Sequence, residues 1–81
     1  MIVRVQLFAA AREWAGRPMV DVEVPEPATI SRLRHALTRQ FPELVPGSPH
    51  LLFALNRRYA GEHATIPADA EVACFPPVSG G

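Results

Sequence analysis

The chain contains no lysine; all eight of its cationic side chains are arginine. Two readings of that absence stand side by side. One is a coding bias. The other is that no side-chain amine exists to attack an activated acyl group within the same molecule. Cysteine is nearly absent too, and the lone Cys74 excludes an internal disulfide and a cysteine-based zinc site. The uncharged stretch Cys74–Gly81 is far too short to cross a bilayer. Met1-Ile-Val-Arg lacks the charged, apolar, small order of a signal peptide. Neither charge sign is in excess: eight acids balance eight cations, with a pI near 6.8, which disfavours a nucleic-acid or anionic-membrane partner. No glycine-rich phosphate loop precedes a helix, so the chain is not expected to bind ATP by itself. His35, His50 and His63 are 15 and 13 residues apart, with no paired cysteine or carboxylate cluster to make a metal site. At 81 residues there is room for one domain. Roughly 60% of its unfolded surface is buried on folding, enough for one core but not for a deep cleft. These absences describe a soluble, cytoplasmic domain without most of an enzyme's equipment.

What is present is a clear sequence of elements. Ile2–Phe8 alternates, with Val3, Val5 and Leu7 on one face and Arg4 and Gln6 on the other, so a half-buried strand is expected. Ala9–Arg17 reads as a turn or short loop. Met19–Val24 alternates again, with Val20, Val22 and Val24 inward, and Pro25 and Pro27 end its ladder. Thr29 is a helix N-cap. From it, Ile30, Leu33, Leu37 and Phe41 form a core stripe, while Arg32, His35 and Arg39 face water. Pro42 stops the helix near Phe41. Glu43–His50 reads as a loop and Leu51–Leu55 as a strand. Asn56-Arg57-Arg58 reads as a solvated turn, and Tyr59–Ile66 as a very short strand with a connector. A tight turn at Pro67–Glu71 leads to a last strand, Val72–Phe75, with Val72 and Cys74 on one face and Ala73 and Phe75 on the other. By that parity Cys74 is core filler rather than a nucleophile.

A hairpin, a crossing helix and further strands on one core make an α+β fold of the β-grasp (ubiquitin-like) type. It has a mixed sheet of four to five strands on one main helix, and its other sheet face is partly wet. The first and last strands are expected side by side and parallel. Phe8 and Phe75 then both fall on the outer face. They either form a partner surface or pack on loop residues such as Trp14.

The domain is read as residues 1–75, and residues 76–81, Pro76-Pro77-Val78-Ser79-Gly80-Gly81, as an extended tail. The prolines stiffen its exit, and six residues reach about 20 Å from the body. Gly81 reads as the chain's own end, with a bare carboxylate. A carboxylate is a poor electrophile at neutral pH, and ATP activates it by forming an acyl-adenylate. Glycines without Cβ atoms fit the narrow channel of an activating enzyme. The reactive group is then the terminus itself, and no catalytic side chain is required. A frayed, idle end is the alternative.

Several motifs carry a resemblance. They are Leu7-Phe8-Ala9 with Arg12-Glu13, Gly16, Thr29-Ile30, Leu33-Arg34, Asn56, Glu71-Val72-Ala73 and the run Phe75–Gly81. On these the sequence resembles the MoaD/ThiS family of ubiquitin-like sulfur carriers over nearly its whole length. Phe-Pro-Pro-Val-Ser-Gly-Gly points to the molybdopterin synthase small-subunit branch. One departure is visible at Asp69-Ala70-Glu71, where the family's pattern is Asp-Gly-Asp. It bears on the turn type, because Ala resists positive φ.

The resemblance implies a chain that performs no catalysis alone and serves as the sulfur-donating subunit of a transferase complex in molybdenum cofactor biosynthesis. An E1-like adenylating enzyme uses ATP on Gly81, and no cofactor is bound by the chain. A desulfurase- or rhodanese-type sulfur donor then gives the thiocarboxylate. The large subunit of molybdopterin synthase receives the tail, and the terminal sulfur attacks a pterin precursor. The resemblance also implies that Phe8, Arg12, Phe75 and the tail residues Pro76, Pro77, Val78 and Ser79 dock partners, with Gly80 and Gly81 carrying the chemistry. A carrier for thiamine or another sulfur pathway, a ubiquitin-like protein modifier and a plain interaction module are the competing expectations.

Overall fold

The computed structural model of the chain describes residues 1–77. Its elements are β1 (Ile2–Leu7), α1 (Ala9–Ala15), β2 (Met19–Glu23), α2 (Ile30–Gln40), a 3₁₀ segment (Pro42–His50), β3 (Leu52–Leu55), β4 (Arg58–Ala60) and β5 (Val72–Phe75). They form one five-stranded mixed sheet in the order β2-β1-β5-β3-β4. β1 and β5 are parallel, and the remaining neighbours are antiparallel. This is the expected α+β β-grasp.

Alternation decides which face of the sheet is dry. Val3, Val5, Leu7, Val20, Val22, Phe53, Val72 and Cys74 are buried and meet the stripe Ile30, Leu33 and Leu37 of α2. Burial of these aliphatic side chains, each stabilising by about 1.5–3 kcal/mol, holds the helix on the sheet. Thr29 caps α2 as expected, its side chain accepting from the Arg32 N–H at 3.2 Å. The free N–H groups of Ile30 and Ser31 donate to the carbonyls of Ala64 and Glu62. The stretch after β4 thus serves as a second cap on the helix. Arg34 ties the same region to β3: it pairs with Glu62, donates to the Leu51 carbonyl and lies 5.0 Å from the Phe53 ring centroid.

The structure corrects two readings. Ala9–Arg17 is not a loop: Ala9–Ala15 is helical and closes on Gly16 at φ 73°. Two buried alanines four apart, Ala11 and Ala15, hold it down, an apolar stripe too narrow to stand out as periodicity. Glu43–His50 is likewise wound into 3₁₀ turns, with Leu44 fully buried and Trp14 of α1 resting on Gly47, where a Cβ would lie 2.3 Å from the ring.

The turns explain two further features. Asn56 and Arg57 link β3 to β4 with φ of 50° and 71°, the two-residue turn whose backbone twist suits a hairpin. Asn56 tolerates that region. It also exchanges backbone and side-chain hydrogen bonds with Glu71, accepting through its Oδ1 from the Glu71 N–H at 2.9 Å. In the Asp69-Ala70-Glu71 turn the positive φ of 65° falls on Asp69, so Ala70 is spared the left-handed region.

Two substitutions test this account in chemical denaturation. Asn56→Ala is expected to destabilise by about 1–2 kcal/mol, because it removes both the left-handed preference and the bond to Glu71. Arg57→Gly is expected to stabilise by about 0.5–1 kcal/mol, because it relieves positive φ while giving up only an exposed contact to Glu71.

Candidate functional site

The sheet pairing assembles an apolar surface opposite α2. β1 and β5 are aligned through Gln6–Ala73 and Leu7–Cys74, so Phe8 and Phe75 occupy the next rung. Phe8 is still extended there (φ −124°, ψ 155°), and its N–H donates to the Cys74 carbonyl at 3.0 Å. At Ala9 the chain then turns through φ 53° into α1. On the far side of β5, Leu52 is the registered partner of Phe75, and Ala54 is the partner of both Ala73 and Tyr59. Tyr59 meets the Phe75 ring edge-on, with centroids 5.7 Å apart. Phe8, Leu52 and Tyr59 are 47%, 36% and 75% exposed, and Phe75 is half-buried between them. One open apolar face therefore runs from the end of β1 across β5, β3 and β4, with Phe75 packed on Tyr59, while Trp14 packs on Gly47.

Arg12 stands exposed on α1, one turn beyond Phe8 and at the same end of the sheet. Pro76 is half-buried and Pro77 exposed as the chain leaves β5. Val78, Ser79, Gly80 and Gly81, which complete the sequence-based set, lie outside the described residues. The structure thus brings Phe8, Arg12, Phe75, Pro76 and Pro77 to one end of the sheet. It adds Leu52 and Tyr59, which sequence reasoning missed. Leu52 was legible in the parity of Leu51–Leu55, where Leu51 and Phe53 take the core. Tyr59 had no such signal, because a three-residue edge strand carries too little alternation.

Among the described residues the one thiol is not an available nucleophile. Cys74 is fully buried, and loss of solvent pushes its thiol up to about 12, only partly offset by the charge of Arg34. Asp21 is held below the usual carboxylate range by its exposed hydrogen bond to Arg4 at 3.0 Å, far from Phe75 along the sheet. His35, His50 and His63 are exposed, and no described residues group three metal-ligating side chains. No described helix is long and apolar enough to cross a membrane.

A model of the ThiS family matches residues 5–81, from the middle of β1 through the two final glycines. The chain belongs to the ThiS family. Within it, the molybdopterin synthase sulfur carrier subunit of Arabidopsis thaliana is 34% identical over 79 residues, 98% of this chain and 82% of that protein. The subunit of the same name from Drosophila yakuba is 35% identical over 82 residues, 98% of this chain and 90% of that relative. Among solved structures, the small archaeal modifier protein 1 of Haloferax volcanii superposes with a TM-score of 0.82 at 32% identity, each chain fully covered. The ThiS-family match and this superposition agree with the β-grasp read from the strands.

Cys74 gives the test for this section. In the folded protein it is expected to react with a disulfide reagent at pH 8 orders of magnitude more slowly than in denaturant. Because its folded pKa lies above the ordinary 9.0, the unfolded state loses the proton first. Stability is therefore full below about pH 9 and falls as pH rises toward about 12. Denaturation midpoints over that range should show the extra alkaline loss in the native chain and not in Cys74→Ala.

Proposed function

We propose that this chain is the sulfur-carrying small subunit of a molybdopterin synthase, with the carboxylate of Gly81 as its working group. The observation that carries the reading is the continuity of three parts in a ThiS-family chain. The central strand β5 ends at Phe75 on an open apolar face, and Pro-Pro-Val-Ser-Gly-Gly follows at once. The similarity to named sulfur carrier subunits over 98% of the chain supports it.

In this reading an adenylating enzyme seats the outer face and takes the glycines into its nucleotide site. A Gly81 carboxylate oxygen attacks the α-phosphorus of ATP, and pyrophosphate leaves. A desulfurase- or rhodanese-type donor presents the sulfur as a persulfide. Its outer sulfur attacks the acyl carbon, and AMP leaves. A thiol then cleaves the resulting acyl disulfide, becoming a disulfide itself and releasing the thiocarboxylate. The same face then docks on the large synthase subunit. The terminal sulfur displaces an oxygen substituent from a carbon of the pterin precursor, and water cleaves the acyl–sulfur bond, which leaves the sulfur on the pterin and restores the carboxylate. The body contributes recognition: Phe8, Leu52, Tyr59 and Phe75 as apolar anchors and Arg12 as a planar donor fork for a carboxylate.

A second reading, a protein modifier that conjugates Gly81 to amines of other proteins, is favoured by the likeness to small archaeal modifier protein 1. It shares the adenylate and differs in the acceptor. Higher-mass adducts in cell extract that vanish when Gly80 and Gly81 are removed would establish it.

Intact-protein mass spectrometry tests the leading reading. With an activating enzyme, ATP and sulfide, the mass is expected to rise by the difference between a sulfur and an oxygen atom. An enzyme that turns over ATP on this chain while leaving its mass unchanged contradicts the proposal. Phe75→Ala and Arg12→Ala should each weaken large-subunit binding roughly tenfold or more with the fold intact; unchanged affinity in both removes the docking face.

A further inference from the structure

The eight arginines are not used alike. Arg4, Arg34 and Arg57 are paired with Asp21, Glu62 and Glu71. Among the described residues, Arg32 and Arg39 have no carboxylate partner, and Arg32 donates only to the Pro27 carbonyl at 3.3 Å. Both stand on the outward stripe of α2, seven residues and so about 10 Å apart, with His35 between them.

That stripe is one wall of a groove of about 700 Å³, whose other wall is the end of β2. Val24, Pro25 and Ala36 supply an apolar floor. The groove is held in shape at one end by Gln40, whose side chain accepts from the Glu23 N–H at 3.2 Å and donates to the Glu23 carbonyl at 3.0 Å. Next to it Met1 and Val24 pair backbone to backbone. The Glu23 side chain is the one carboxylate in the lining. The groove lies at the opposite pole of the sheet from Phe8 and Phe75, because β1 begins beside it and ends at Phe8.

We propose that this groove docks an acidic, extended segment of a partner protein, and does so while the outer face and the tail are engaged elsewhere. Two unpaired guanidinium groups flanking an apolar floor fit carboxylates on a chain of a few residues, since extended backbone advances about 3.3 Å per residue. A nucleic acid fits less well: the molecule has no net charge to attract a long polyanion, and the two guanidinium groups can meet only a few of its phosphates. The inference needs no part of the sulfur chemistry, so its failure leaves that reading standing.

Amide NMR on the full, isotope-labelled chain tests it, with the peptide acetyl-Glu-Gly-Glu-Gly-Glu-Gly-Glu-amide as probe. The expected result is saturable shifts at Glu23, Val24 and residues 31–40, with Phe8 and Phe75 unmoved and affinity falling as salt rises. The double variant Arg32→Gln/Arg39→Gln, whose changes are both on exposed side chains, is expected to bind roughly tenfold more weakly with an otherwise unchanged spectrum. Absence of shifts overturns the proposal, as do equal shifts from the matching glutamine peptide or unchanged affinity in the double variant. Tighter binding of inorganic phosphate or a DNA duplex at the same residues also overturns it, in favour of a phosphate site.

Discussion

Strands β1 and β5 run parallel at the middle of the sheet, paired through Val5–Val72, Gln6–Ala73 and Leu7–Cys74, and the arrangement of the working end follows from that contact. Parallel pairing puts the end of the first strand and the end of the last at the same pole. Phe8 and Phe75 therefore stand on the same rung of the outer face, Arg12 follows one turn later, and Pro76 and Pro77 leave from the same place. An antiparallel last strand would have sent the chain's end to the Met1 pole, away from every one of these residues. The inward sides of the same two strands are the driest part of the core, with Val5, Leu7, Val72 and Cys74 all at most 1% exposed. The dry side fixes the register, and the register arranges the wet side.

On the proposed reading, that division of labour lets so small a chain work through its terminus and not through a side chain. Its one thiol is spent on packing, its histidines point into solvent, and its described carboxylates are exposed. A sulfur carrier and a protein modifier are equally compatible with such a body, because both present a terminus and leave activation to another enzyme. The lack of lysine fits either case, since a chain without side-chain amines offers its own activated terminus no internal acceptor.

Much of this was legible in the residues. The alternation in Ile2–Leu7 and Met19–Glu23, the Thr29 cap and the stripe Ile30–Leu33–Leu37 each have only one geometry that buries the apolar side, and the fold adopts it. The outward parity of Phe8 and Phe75 was likewise readable. The features that escaped are those where no local pattern speaks. Helix α1 is seven residues held by two alanines. Tyr59 joins the site only because β4 pairs with β3 at Ala54, and the helix cap from Glu62–Ala64 is a contact between segments some thirty residues apart. The turn before β5 escaped for another reason. The family pattern drew attention to Ala70, whereas the left-handed residue is its neighbour Asp69.

The central claim is that the end of the chain reacts and the folded body addresses it. A single-turnover experiment reaches it most directly. Protein prepared chemically with a thiocarboxylate at Gly81 is mixed with the large synthase subunit and pterin precursor, and carrier mass and sulfur in the pterin are followed together. The account predicts that one sulfur appears in the pterin for each carrier returned to the carboxylate form. Formation of the complex with the thiocarboxylate left intact would contradict it.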